Sequence, residues 1–360
     1  MQQIIETIKQ RPLTFLLVAL PLAILAEVLH WGEVWVFILS AVAIIPLAEL
    51  IGEATEALAD YTGPRIGGLL NATLGNAAEL IITIMAIREG LLELVKASIA
   101  GSILGNLLLV MGLAMILGGV KHGMQSFDRR QASRSAILLI LAVMALVIPS
   151  LFSHYIGLEN SIRVETLSIG VAVTMLIIYG LALVYSLKTD RRPIEKIQAV
   201  DNLHTSTWSV RKSLILLALA TFGVVVASEL LVGAVEPVVE SLGISEFFVG
   251  IILIPIVGNV AEHLVAVKVA MQNKMTLSVE IAVASSLQIA LFVAPVLVFI
   301  SLLMGNPMQL IFNELELIAL IAGVIVAALV SEDGESNWLE GSELLAVYII
   351  LALAFLLMPV

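Results

Sequence analysis

The chain has 360 residues, 60% of them hydrophobic and 13% charged, with a formal net charge of −11 and a mean hydropathy of +1.08. A soluble domain of that composition would lack the polar residues to cover its surface, and the absence of cysteine excludes disulfides, thiolate metal sites and thiol nucleophiles. No basic patch speaks for nucleic acid, and the apolar runs are continuous and of bilayer-crossing helix length, unlike the short alternating segments of a β-barrel.

The expected fold is an all-α polytopic membrane protein. In chain order, eleven transmembrane helices are read at about 13–30, 34–58, 65–88, 94–118, 135–152, 165–187, 212–235, 247–271, 278–304, 315–330 and 342–360. They are called helices 1 to 11 below. Helix 1 lacks a small-x-small cleavage site and reads as a retained span within an N-terminal segment, 1–33. Residues 34–187 and 212–360 then form two five-helix units, joined by a polar linker at 188–211 that contains Pro193.

Lys and Arg set the orientation. Fourteen of them, from Lys9 to Lys274, fall on the side of the N-terminus, and only Arg88 and Arg163 fall on the other; Lys96 and Lys268 lie within spans, near ends where they can snorkel. The N-terminus is therefore expected in the cytoplasm and the C-terminus outside.

Shifting the chain by 183 residues superimposes Gly75 on Gly258, Asn76 on Asn259, Ala78 on Ala261 and Glu79 on Glu262. In the same register Gly67 meets Gly250, Ser102 meets Ser285 and Leu104 meets Leu287. Helices 2–6 and 7–11 thus read as two repeats. Five is odd, so the second enters the membrane from the opposite face, an inverted-topology arrangement that places a site near the midplane. Helices 2 and 7, which begin the two halves, are the expected moving gates.

An ionisable residue in mid-membrane is costly and by default functional. Glu79 follows Asn76, and Glu262 follows Asn259, at a spacing of three, so each pair shares a helix face. Gly75 and Gly258 precede them, and Pro255 precedes the second pair. Both helices are expected to break there and to present carbonyl oxygens. Carboxylates, amides and carbonyls make an all-oxygen site suited to a hard divalent cation such as Ca²⁺. Ser102 with Asn106, and Ser285 with Gln288, add polar faces on helices 4 and 9. Gly101 and Gly105 allow close helix approach, and small residues at such places also serve packing alone.

The stretches "GGLLNATLGNAAELII" with "KASIAGSILGNLLLVMG", and "PIVGNVAEHLVAVKVA" with "KMTLSVEIAVASSLQIALFVAP", resemble the two signature repeats of the calcium (cation)/proton exchanger family, within the Ca²⁺/cation antiporter superfamily. The resemblance covers nearly the whole chain. It implies that Glu79 and Glu262 ligate the cation and also take protons, assisted by Asn76, Asn259 and the carbonyls about Gly75 and Gly258. His263 follows Glu262 as in the family pattern, and joins Ser102, Asn106, Ser285 and Gln288 as an expected ion-pathway residue. The implied activity is export of cytosolic Ca²⁺ in exchange for protons. Its partners are membrane lipid, Ca²⁺ and H⁺, with no organic cofactor. The short N-terminus fits a prokaryotic plasma-membrane member.

Three rivals are distinguishable. A sodium-coupled exchanger would carry Ser/Thr-Pro-Glu motifs, where Asn and Ala stand here. A channel would place its acids in a ring of subunits. A membrane-embedded enzyme would need a catalytic constellation, and neither H-E-x-x-H nor a nucleophile–base pair occurs. The acids Glu49, Glu53 and Glu56, and the run 331–343, read as solvated helix ends and loops, with a cation-attracting vestibule as the alternative.

Overall fold

The computed structural model describes residues 12–157, 161–189 and 208–358. Most of the expected linker, and the first eleven residues with Lys9 and Arg11, lie outside them. The architecture is all-helical apart from one two-strand contact. Among the described residues eight helices are long and apolar enough to cross a membrane, and Leu13–Val28 is a shorter apolar helix. Helix 10, Glu314–Val330, has 17 residues.

Helices 2 and 3 run together as Glu33–Leu74, with a sharp bend at Gly63, whose φ of 79° a residue with a side chain rarely adopts. Helix 3 then stops. A turn at Gly75 and Asn76 separates it from a second half, Ala77–Arg88. This is the break expected from the sequence.

Helix 8 departs from expectation. Its main segment, Ile254–Ala270, passes through Gly258 and Asn259 without interruption. The irregularity lies upstream, in a π-helical segment at Val249–Leu253. Proline has no N–H to donate and its ring clashes with the carbonyl four residues back. Pro255 is thus tolerated because the wider π turn moves the Ile251 carbonyl aside. The same device precedes Pro295, where helix 9 contains a π segment at Ile289–Val293. Helix 4 contains a third at Gly105–Val110. Asn106, inside this third segment, corresponds to Ile289 under the 183-residue shift.

Close packing of small residues brings these elements together. A Cβ on Gly101 would lie 2.6 Å from the Ile251 carbonyl carbon and 2.7 Å from Pro255 Cγ, so helix 4 rests on the π segment of helix 8. Helices 2 and 7 pack side by side along their lengths, with Leu47 lying over Gly223. The two helices expected to move are therefore packed against each other.

At one end of the molecule, three connections are tied together. Strand β1 (Gln125–Ser126) pairs antiparallel with β2 (Glu335–Ser336). Gln125 Nε2 donates to Ala270 O and Asn273 Oδ1, both at 3.0 Å. At the opposite end, the extended segment before helix 10 is held by serines from three helices. Met308 N–H donates to Ser301 Oγ, Leu310 N–H to Ser168 Oγ and Phe312 N–H to Ser150 Oγ, at 2.8, 3.1 and 2.9 Å. Each hydroxyl satisfies a buried backbone donor that no helix or sheet could.

Candidate cation site

Helices 3, 4, 8 and 9 converge where the break in helix 3 meets the middle of helix 8. Glu79, in the first turn after the break, is 5% exposed, and its backbone carbonyl accepts the Thr83 hydroxyl at 2.7 Å. A Cβ on Gly258 would sit 3.0 Å from Glu79 Cγ, so the glycine leaves room for that side chain. Reciprocally, a Cβ on Gly75 would sit 3.6 Å from Glu262 Oε1. Each carboxylate thus lies over the glycine that precedes the other.

The amides are crossed in the same way. Asn259 Nδ2 donates to Ser102 Oγ of helix 4 and to Pro255 O, both at 3.1 Å. Ser285 Oγ of helix 9 donates to Asn76 Oδ1 at 3.4 Å, and the same hydroxyl is within hydrogen-bonding reach of Glu262. Under the shift that maps Asn76 onto Asn259 and Ser102 onto Ser285, one pair becomes the other.

Further contacts have no such counterpart. Asn76 Nδ2 donates to Gln288 Oε1. Asn106 Nδ2 donates to Ser285 Oγ at 2.9 Å, and its Oδ1 lies 3.2 Å from His263 Nε2. A continuous chain therefore runs from His263 through Asn106, Ser285 and Asn76 to Gln288. All eleven residues expected at the site are brought together. The pairing of Asn106 with His263 was not foreseen, because the two are 157 residues apart and no periodicity links them.

The electrostatics are one-sided. Glu79 lies close enough to Glu262 for the two charges to act on each other. Among the described residues the ion pairs of Arg88 and Lys96 involve Glu89, Glu229 and Glu93, and no base pairs with either site carboxylate. Lys96 does not snorkel freely: its side chain is 14% exposed and bound to Glu93.

Two oxygens complete the chemistry. Glu262 Oε2 and Asn259 Oδ1 are buried and have no hydrogen-bond partner. Leaving a buried acceptor unsatisfied costs about 1–3 kcal/mol, more when it is charged, so such atoms mark a place for a ligand that donates positive charge. No group of three or more His, Cys, Asp or Glu gathers among the described residues. The site is two carboxylates among neutral oxygens. Glu262 and His263 are half-buried and Asn71 is exposed, whereas Asn76 and Asn259 are buried. The more exposed residues of the site therefore lie towards the end where β1 and β2 pair, since helix 8 runs from Glu262 towards Ala270 and its contact with Gln125.

The profile of the sodium/calcium exchanger protein family matches residues 32–188 and 212–357. A Ca(2+)/H(+) antiporter of Aphanothece halophytica is 46% identical over 361 residues, covering 96% of each chain. The Ca(2+)/H(+) antiporter ChaA of Bacillus subtilis is 45% identical, over 96% of this chain and 99% of its own. The solved structure of native YfkE superimposes with a TM-score of 0.84 at 42% identity, covering 96% of this chain and all of that one.

Proposed function

The chain belongs to the sodium/calcium exchanger family and, within it, to the calcium/proton exchangers, and from that premise we propose that it is a Ca²⁺/H⁺ antiporter exporting cytosolic Ca²⁺ by alternating access at a midplane site. The observation that carries the site is the pair of unsatisfied buried oxygens, Glu262 Oε2 and Asn259 Oδ1, beside the Glu79 carboxylate. Ca²⁺ takes about six to eight oxygens at flexible geometry. Both carboxylates, Asn259 Oδ1, Asn76 and the carbonyls near the helix 3 break supply such a set. Ser102 and Ser285 hold the amides in place.

Proton coupling follows from charge. Two carboxylates facing each other in a water-poor interior, with no base beside them, cannot both remain ionised unless a cation lies between them. Ca²⁺ neutralises both; protons do so when Ca²⁺ leaves. Binding of one expels the other, and either loaded form can cross without uncompensated charge.

The crossed pairs Asn76–Ser285 and Asn259–Ser102 support the reading of helix 1 plus inverted repeats 2–6 and 7–11, eleven spans in all. The three apolar helices outside the eight long ones bring the count to that number: Leu13–Val28, the broken helix 3, and Glu314–Val330. We place the paired strands, and hence the more exposed side of the site, in the cytoplasm of a prokaryotic plasma membrane, with the N-terminus on the same face.

The deciding experiment uses sealed proteoliposomes. An antiporter accumulates ⁴⁵Ca²⁺ when a pH gradient is imposed, without sodium. Equilibration without accumulation would indicate a channel, and a strict need for a sodium gradient would indicate the sodium-coupled alternative.

A further inference from the structure

At the end opposite the paired strands, a second polar cluster joins helices 4, 8 and 10. Helix 4 begins at Leu92, and Leu91 before it offers no side-chain cap. The carboxylate of Glu246, at the start of helix 8, accepts the Leu94 N–H instead. Its Oε1 is buried and unpartnered. Two residues on, Lys96 is ion-paired with Glu93 at 2.5 Å, and Glu93 is itself 63% exposed. Glu316 of helix 10 faces this pair and feels the charge of both members.

Glu316 is 0% exposed. Its Oε2 accepts the Asn313 N–H at 2.7 Å, as half of a capping box. A glutamine would perform that role equally well. Its Oε1 is buried and has no partner. An ionised carboxylate in that position is strongly disfavoured unless a cation reaches it. Helix 10 packs on helix 4, and among the described residues Lys96 is the cation whose charge acts on Glu316, while its ion pair is with Glu93. Helix 5 brings neutral Ser150 to this end, and the carboxylates of helix 11, Glu340 and Glu343, lie at its opposite end beside β2. Two acids thus share one lysine.

We propose that Glu316 is a second exchangeable-proton site, distinct from the midplane site, with Lys96 alternating between Glu93 and Glu316. When the proton leaves Glu316 Oε1 for water, the charge left behind draws Lys96 across, and the exposed Glu93 is left to solvent. When a proton returns, Lys96 goes back. Lys96 lies six residues before Ser102 on helix 4, so the exchange acts on the helix that holds Asn259. The cluster thereby reports the pH of this face to the cation site. That last step rests on the antiporter reading; the proton site itself does not.

The two are tested separately. Infrared difference spectra are recorded across a pH series on purified protein carrying Glu79→Gln and Glu262→Gln, which removes the midplane carboxyls. A protonated-carboxyl band should remain, and adding Glu316→Gln should remove the Glu316 share of it, leaving that of Glu246. Lys96→Met, which leaves the capping box intact, should extend the band to more alkaline pH by about one unit. A spectrum unchanged by Glu316→Gln, or a band unmoved by Lys96→Met if the first variant does not fold, overturns the site. In proteoliposomes, Glu316→Gln in the otherwise native chain should still exchange ⁴⁵Ca²⁺ but lose the response to pH on the face opposite the paired strands. Retention of the full response refutes the link to transport. A native chain that exchanges nothing would sink the antiporter reading and leave the band as it stands.

Discussion

Replacing Gly101 with alanine should damage both folding and cation binding, and the structure gives the scale of each. The added Cβ would lie 2.6 Å from the Ile251 carbonyl carbon, where ordinary contact begins near 3.4 Å. The neighbour is backbone, fixed by the π turn before Pro255, so it cannot swing away. The Ile251 carbonyl oxygen lies closer still, so helix 4 must retreat from helix 8 by about an ångström or more. Overpacking of this kind costs about 1–3 kcal/mol of stability. Ser102, the next residue, would then leave hydrogen-bonding range of Asn259, from which it now lies 3.1 Å away. Losing that bond, about 1 kcal/mol, weakens Ca²⁺ binding by about fivefold. The assay is thermal melting and equilibrium ⁴⁵Ca²⁺ binding on the purified protein. Gly105→Ala is the control, because its Cβ meets nothing within 4 Å. The reasoning fails if Gly101→Ala melts and binds as the native protein does, or if Gly105→Ala is equally impaired.

Glu79→Gln and Glu262→Gln should each abolish exchange while the protein still folds, since either change removes repulsion from a site without a base; undiminished ⁴⁵Ca²⁺ uptake by a purified variant would remove that residue from the mechanism. Apparent Ca²⁺ affinity should weaken as pH falls on the binding side, by up to about tenfold per unit for each proton displaced. Affinity measured over a pH series, with and without sodium, tests this, and pH-independent affinity would refute shared ligands. A bifunctional thiol cross-link between Leu47→Cys and Gly223→Cys, within the helix 2–helix 7 body, should leave turnover intact, whereas one between Arg88→Cys and Glu229→Cys should arrest it, because Arg88 Nη1 of helix 3 lies 3.3 Å from Glu229 Oε1 of helix 7 across the expected line of movement. Equal effects from both links would contradict that division.

The parts of this fold that were legible in the sequence are those set by local chemistry. Apolar runs mark helices because unsatisfied backbone cannot face lipid. Gly75 and Asn76 mark a break because neither favours a helix interior and both lie beside a buried acid. Pro255 was equally visible and was misread. Its effect falls on the residues before it, since the carbonyl it displaces is four back, and so the distortion is at Val249–Leu253 rather than at Gly258. Glu316 sits in an ordinary Asn-x-x-Glu capping pattern, and only tertiary packing makes it fully buried. The β1–β2 contact consists of two residues on each side, with the paired Gln125 and Ser336 211 positions apart and no periodicity to announce it.

The site is crossed in its ligands and lopsided in its supports, and that combination bears on how an exchanger can have a direction. Glu79 lies over Gly258 and Glu262 over Gly75, so under the inverted-repeat reading the cation meets equivalent oxygens whichever half has moved. Two states built that way would be equal in energy. The supports remove the equality. Asn106 binds Ser285 and reaches His263, whereas the positions matching Asn106 and His263 in the other half are the apolar Ile289 and Leu80. Gln288 holds Asn76, and its counterpart is Gly105, which has no side chain to hold Asn259. Glu262 is therefore backed by a polar chain on the half-exposed side of the site, while Glu79 is buried and its carboxylate is held by a backbone N–H at the helix 3 break. Under the antiporter reading, a proton or a cation leaving towards the paired strands would meet hydroxyls and amides that one leaving the other way would not. On that reading the ligands would serve exchange from both faces, and the unmatched His263–Asn106–Gln288 chain is what would make the faces differ.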